Sequence, residues 1–213
     1  MQILLAAATS MEVEPFIQQR PLFDFLVTGV GSPAAVYQLT KRLHQIDYDL
    51  VIQAGIAGRF GRELALGEVV AVKQDCFADL GVFEKRGFHT LFELGFDHED
   101  HFPYTGGWLE NNGTIINSLA VRKVKAITVN TITDEDIVAN RMKSKFDPGI
   151  ESMEGAALHY VCLQENIPFL QIRSISNDVG ERDKTKWKMQ EALSNLNEAL
   201  TGIINKLSGA GTH

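Results

Sequence analysis

Residues 149–162 read GIESMEGAALHYVC. Two glutamates, Glu151 and Glu154, bracket Ser152 and Met153. Gly155, Ala156 and Ala157 follow, then an apolar run. Over 155–166 the apolar positions Ala156, Tyr160 and Leu163 recur at four- and three-residue steps, which is helical spacing. The stretch reads as the entrance to a buried helix with a carboxylate at its mouth. A carboxylate in such a place calls for a partner or a ligand.

Outward from this point, short β-type runs end in small residues or glycine. They are 2–9, 23–31, 49–58, 67–77, 125–133 and 169–177. Helical patterns lie between some of them, as at 33–45, where Ala35, Leu39 and Leu43 share a face. The last helix is predicted from about Lys184 to Leu207, with Leu193, Leu196, Leu200, Ile203 and Leu207 in 3,4 spacing and Asp183 as its N-cap. Strands alternating with helices predict the α/β class, a three-layer α/β/α sandwich around a central mixed, mostly parallel sheet. One domain spans 1–207, and 208–213 reads as a flexible tail. The polar, glycine-rich middle, about 83–112, reads as a surface excursion near a site or a subunit contact.

The chain has 213 residues and a formal net charge of −7. That charge disfavours nucleic acid and anionic membranes as partners, while leaving a small uncharged nucleoside open. Its two cysteines, Cys76 and Cys162, stand alone and read as buried free thiols. The N-terminal MQILLAAATSMEVEP lacks a basic leader region and reads as a first strand. No apolar run reaches the ~18 residues that span a bilayer, so the cytoplasm is the expected compartment. DHEDH (97–101) reads as a solvated loop and not as a metal site.

Four strand ends carry candidate chemistry. TGVGSPAAV (28–36) has the spacing of a dinucleotide-binding turn, but the next strand ends in Gln53-Ala54-Gly55 where that fingerprint wants an acid. It reads as a tight turn or as backbone amides lining another ligand. QAGIAGRFG (53–61) is a second glycine-rich end, open to close backbone approach. ATSMEVEPF (8–16) offers Glu12 and Glu14, either as helix-start acids before Pro15 or as a carboxylate at the sheet edge. IRSISNDVGERDKTKW (172–187) presents Ser176, Asn177 and Asp178 in a row, as a turn or as polar groups facing a heterocycle.

Taken in order, these features resemble the purine nucleoside phosphorylase and nucleosidase superfamily. The resemblance lies on the side of the methylthioadenosine/S-adenosylhomocysteine nucleosidases and covers nearly the whole chain. ADLGV (78–82), SMEGAAL (152–158) and SNDVGERD with the later Trp187 are most similar to the futalosine hydrolases of the alternative menaquinone pathway. The resemblance implies a nucleoside phosphorylase-like fold, a metal-free and cofactor-free N-ribosyl hydrolase, and a homo-oligomer, a dimer or higher, with a neighbouring subunit closing the pocket. It implies that Glu154 holds the ribose hydroxyls, with Met153 packed on the sugar and Gly155 and Ala156 small for close approach. It gives Glu14 as the water activator by its spacing from Met11, with Glu12 in reserve. Ile56, Ala57 and Gly58 would line sugar and base beside Ser176. Asn177 stands where the adenine-releasing enzymes carry aspartate, and its amide can donate to O6 of a 6-oxopurine and accept from a protonated N7. Asn177 also suits adenine's N6/N7 edge. Asp178 or a water would supply the leaving-group proton. Futalosine's aromatic carboxylate arm needs an apolar slot and a cation, for which Arg59, Arg62 and Arg182 are available. Glu151 matches no family role and is left structural. The competing readings are an adenine-releasing nucleosidase, an inosine phosphorylase and a non-catalytic nucleoside-binding protein.

Overall fold

Five consecutive buried apolar residues, Ile3–Ala7, form β1, as expected of a strand covered on both faces. The computed structural model describes residues 1–20, 22–84, 87–132 and 135–209. After β1 come α1 (Glu14–Gln19), β2 (Phe25–Val27), α2 (Ser32–Leu43), β3 (Leu50–Arg59), β4 (Val69–Asp75), β5 (Gly81–Glu84) and β6 (Gly87–Thr90). Then follow β7 (Leu109–Glu110), α3 (Thr114–Ser118), β8 (Arg122–Thr128), α4 (Asp136–Phe146), β9 (Ile150–Ser152), α5 (Gly155–Gln164), β10 (Phe169–Asp178) and α6 (Met189–Gly209).

β2, β1, β3 and β10 run parallel, side by side. β10 also pairs antiparallel with β4, β4 and β8 run parallel, as do β8 and β9, and β9 returns antiparallel to the far end of β3. The sheet thus curls back and closes on itself around Ala57, Leu64, Val70, Val72, Ala126, Ile150 and Ile175. One face packs Phe16 of α1 and Leu196, Leu200 and Ile203 of α6 against the strands. The other packs Leu39 and Leu43 of α2 with Leu158 and Val161 of α5. These are the three layers that the alternation of elements predicts. Cys76 and Cys162 are buried and free. No described helix is long and apolar enough to cross a membrane.

Several boundaries move for local reasons. The run 23–31 contracts to 25–27 because Gly29 and Gly31 take positive φ, +81° and +89°, and turn the chain into α2. The strand expected at 125–133 runs 122–128 instead. Asp183 caps a separate 3-10 turn, Lys184–Lys186, through Thr185 N–H, and α6 begins only at Met189. α6 continues to Gly209, into the stretch expected to be tail; residues 210–213 lie outside the described residues.

Candidate active site

The C-terminal ends of β1, β3 and β10 meet the β9–α5 turn around a cavity of about 230 Å3. Larger clefts lie beside α2 and under the 91–107 excursion, about 870 and 520 Å3, but neither is lined by a buried carboxylate. The smaller cavity is lined by three: Glu12, Glu151 and Glu154.

Glu154 stands immediately before α5. Its Oε1 accepts from Gly31 N–H at 3.0 Å, and its Oε2 lies 3.7 Å from Nη2 of Arg173. Arg173 is 1% exposed and donates to Gln53 Oε1 at 2.8 Å. Burial raises the Glu154 carboxyl above its ordinary value, Arg173 and Gly31 N–H pull it back, and Glu12 pushes it further up. Arg173 is a site residue that the sequence reading misses. The available signal was an arginine inside an apolar strand, which a protein interior tolerates only when paired.

Two glycines make the arrangement possible. A Cβ on Gly55 would fall 2.2 Å from Arg173 Nη1 and 2.8 Å from Glu12 Oε1. A Cβ on Gly155 would fall 2.0 Å from Gln171 Nε2 and 2.2 Å from Asp75 Oδ2. Gly155 therefore serves the packing of α5 on buried polar side chains, where close approach to a ligand was expected. The same helix start is tied down by Ala156 N–H, which bonds Thr128 Oγ1 at 2.8 Å, and by the Thr128 hydroxyl, which donates to Asp75 Oδ1 at 2.9 Å.

The two acids after β1 separate. Glu12 ends a 3-10 turn, Ser10–Glu12, and turns inward, 7% exposed. Its Oε2 accepts from Thr9 N–H at 2.9 Å and Thr9 Oγ1 at 3.2 Å, and its Oε1 accepts from Ile56 N–H at 3.3 Å. Glu14 opens α1 on the outside, exposed, with Gln18 Nε2 at 3.3 Å, and lines a neighbouring cleft. The expectation for Glu14 is corrected here: the 3-10 turn places the reserve residue, Glu12, in the cavity.

Ser176 and Asn177 sit at a bulge in β10, between Ile175 and Asn177, the kind of irregularity that re-aims side chains. Ser176 Oγ donates to Asn177 Oδ1 at 2.7 Å, and Asn177 Nδ2 donates to the Asp178 carbonyl at 2.9 Å. An amide has two N–H donors and two acceptor lone pairs. One of each remains for a ligand. Asp178 does not line the cavity; its carboxylate takes Arg59 Nε at 2.7 Å. Ile56, Ala57, Gly58 and Met153 line the cavity as expected.

Of the three arginines considered for the arm, Arg59 is held by Asp178 and the Leu64 carbonyl, and Arg62 does not reach the cavity. Arg182 lines the rim, its guanidinium 5.8 Å from the centroid of the Trp187 ring. The adjacent acids are engaged elsewhere, Glu181 with Lys186 and Asp183 with Thr185. The rim is otherwise apolar and exposed, with Met11, Val30 and Ile132.

A family model described as the Phosphorylase superfamily matches residues 25–205. The chain is 28% identical to the futalosine hydrolase of Thermus thermophilus over 97% of each chain. It is 30% identical to the futalosine hydrolase of Streptomyces coelicolor, over 87% of this chain and 78% of that one. Among solved structures it resembles a 5'-methylthioadenosine/S-adenosylhomocysteine nucleosidase from Colwellia psychrerythraea 34H in complex with adenine. The TM-score is 0.80 at 18% identity, covering 97% of this chain and 96% of that one, a likeness of fold.

Proposed function

The chain belongs to the phosphorylase superfamily and, within it, to the futalosine hydrolase family, and on that premise we propose that it hydrolyses futalosine to hypoxanthine and dehypoxanthine futalosine in menaquinone biosynthesis. The observation that carries the reading is the meeting of Glu12, Glu154 and Asn177 in one cavity.

Cleavage of an N-glycosidic bond passes through a ribosyl cation, as in other glycosyl transfers. Glu154 accepts the 2′- and 3′-hydroxyl protons and stabilises the developing positive charge. Met153 packs on the sugar. Glu12 accepts a proton from the attacking water as general base. The free N–H of Asn177 donates to O6, and its free lone pair accepts a hydrogen bond from the protonated N7 of the departing base. With Asp178 committed to Arg59, a solvent water protonates N7, and the hydroxide it leaves is neutralised by the proton that Glu12 takes from the attacking water. Among the described lining residues there are four acids, Glu12, Glu151, Glu154 and Glu181, and one cation, Arg182; Arg173 behind Glu154 and Lys186 on Glu181 offset part of that negative charge. Such a field disfavours a phosphate dianion as nucleophile, which supports hydrolysis over phosphorolysis.

The rim suits the substrate's 5′ arm. Trp187, Met11 and Ile132 receive the aromatic ring, and Arg182 pairs with the carboxylate. We place the chain in the cytoplasm, where its free thiols persist. We also take it to be a homo-oligomer whose second copy covers the exposed apolar side chains Val30, on the cavity rim, and Tyr37 and Leu80, in the cleft beside α2; light scattering reads that mass directly. The main test is base release from futalosine, methylthioadenosine and inosine, with and without phosphate. Phosphate-independent hypoxanthine release from futalosine is expected. Adenine released from methylthioadenosine would support the adenine-type reading instead.

A further inference from the structure

Sequence reasoning leaves Glu151 without a role, and the structure gives it a position. On β9 it stands opposite Gly58 of β3, and Asn177 of β10 stands opposite the same Gly58 from the other side. The three form one row across neighbouring strands. Two strand spacings, about 10 Å, separate the backbones of Glu151 and Asn177, and the residue between them has no side chain. A Cβ on Gly58 would fall 2.9 Å from Val179 Cγ2 and 3.3 Å from Asn177 Nδ2. All three residues line the cavity. Val179 and the Asn177 amide fill the place that a Gly58 side chain would take, and the cavity wall there carries a carboxyl from one strand and an amide from another.

Glu151 is 9% exposed, yet among the described residues its carboxyl has no hydrogen bond and no ion pair. Burial, with Asp79 nearby, pushes it up to about 7. A buried carboxyl without a partner is costly, and its place in a cavity wall points to a ligand group. We infer that Glu151 reads the pyrimidine edge of the purine, accepting N1–H of a 6-oxopurine while Asn177 holds O6 and N7. The inference rests on the nucleoside-cleaving reading of the same cavity. Either form of the acid accepts N1–H, and the protonated form also donates to O6. Adenine presents a lone pair at N1, which repels the ionised form and accepts from the protonated one, so it is the ionised carboxylate that favours the 6-oxopurine.

The test is calorimetric binding of hypoxanthine and 1-methylhypoxanthine to the wild-type chain and to Glu151→Leu. The methyl group removes the N1 donor and leaves O6 and N7 intact. Wild type is expected to prefer hypoxanthine by about ten- to a hundred-fold, the range of a hydrogen bond to a charged group. In Glu151→Leu that ratio should collapse toward one. Equal binding of the two bases by wild type overturns the inference without any variant. A ratio that survives in Glu151→Leu also overturns it, because the preference would then be steric. A wild-type chain that separates the two bases but releases no hypoxanthine from futalosine would sink the proposed reaction and leave the Glu151 assignment standing.

Discussion

Replacing Glu12 by glutamine separates the two glutamates that sequence spacing confuses. A positioned general base contributes about 10²–10⁴ in rate, so kcat for hypoxanthine release should fall by that factor. KM should stay near wild type, because the proposed mechanism has Glu12 act on the water and Glu154 hold the sugar. The substitution also disturbs the fold. Both Glu12 oxygens accept from backbone N–H groups, Thr9 on one side and Ile56 on the other. A glutamine in either orientation turns an NH2 toward one of them, and a donor left facing a donor costs about 1–2 kcal/mol. For a chain of this length that lowers the melting temperature by about 2–8 °C. A typical domain stability of about 5–15 kcal/mol absorbs such a loss, so the enzyme stays folded at assay temperature and the rate loss is chemical. Glu14→Gln is the matched control: Glu14 is exposed and touches only Gln18, so stability should change by no more than about 0.5 kcal/mol and kcat should not change. The assay is chromatographic base release at saturating futalosine, paired with scanning calorimetry. The reasoning is refuted if Glu12→Gln keeps near-wild-type kcat, or if Glu14→Gln loses it.

Three further outcomes follow from the same contacts. Asn177→Asp puts a lone pair against O6 in place of the remaining N–H, so the kcat/KM ratio of 6-oxopurine to 6-aminopurine nucleosides should drop by about ten- to a hundred-fold; an unchanged ratio would move base choice away from Asn177. Arg182→Gln should raise KM for futalosine severalfold and leave KM for its carboxyl methyl ester unchanged, and an equal rise for both would show that the arginine does not pair with the arm. Burial pushes the Asp75 carboxyl up to about 7 against the pull of Thr128. Its contribution to stability is therefore fully present below its unfolded value and is lost as pH rises through about 7. Glu151 acts in the same direction, and His159, lowered by burial to about 4, opposes both. Asp75→Asn should make stability in denaturant fall less steeply between pH 4 and 7 than in wild type, and superimposable slopes would remove Asp75 from that dependence.

Glu154, Met153 and Asn177, the residues that the resemblance names, line one cavity, and each lies in a long element or close beside one. β3, β10 and α5 are apolar over several periods, and their ends are where an open α/β sheet presents chemistry. Glu14 was misplaced because counting three residues from Met11 assumes that the helix has already begun. Thr9-Ser10-Met11-Glu12 is itself a Thr-x-x-Glu pattern, and Glu12 does reach back to Thr9 N–H. That signal identifies Glu12 as the residue turned toward its own cap, and hence toward the sheet edge. Glu151 offered no such signal. β9 is three residues long and pairs antiparallel with the end of β3 only because the sheet closes on itself, a relation between residues about ninety positions apart. Local periodicity carries no information about a contact of that kind. The position of Glu151 across from Asn177 is therefore set by tertiary closure, which is why the chain pattern around Glu154 leaves the contribution of Glu151 unread.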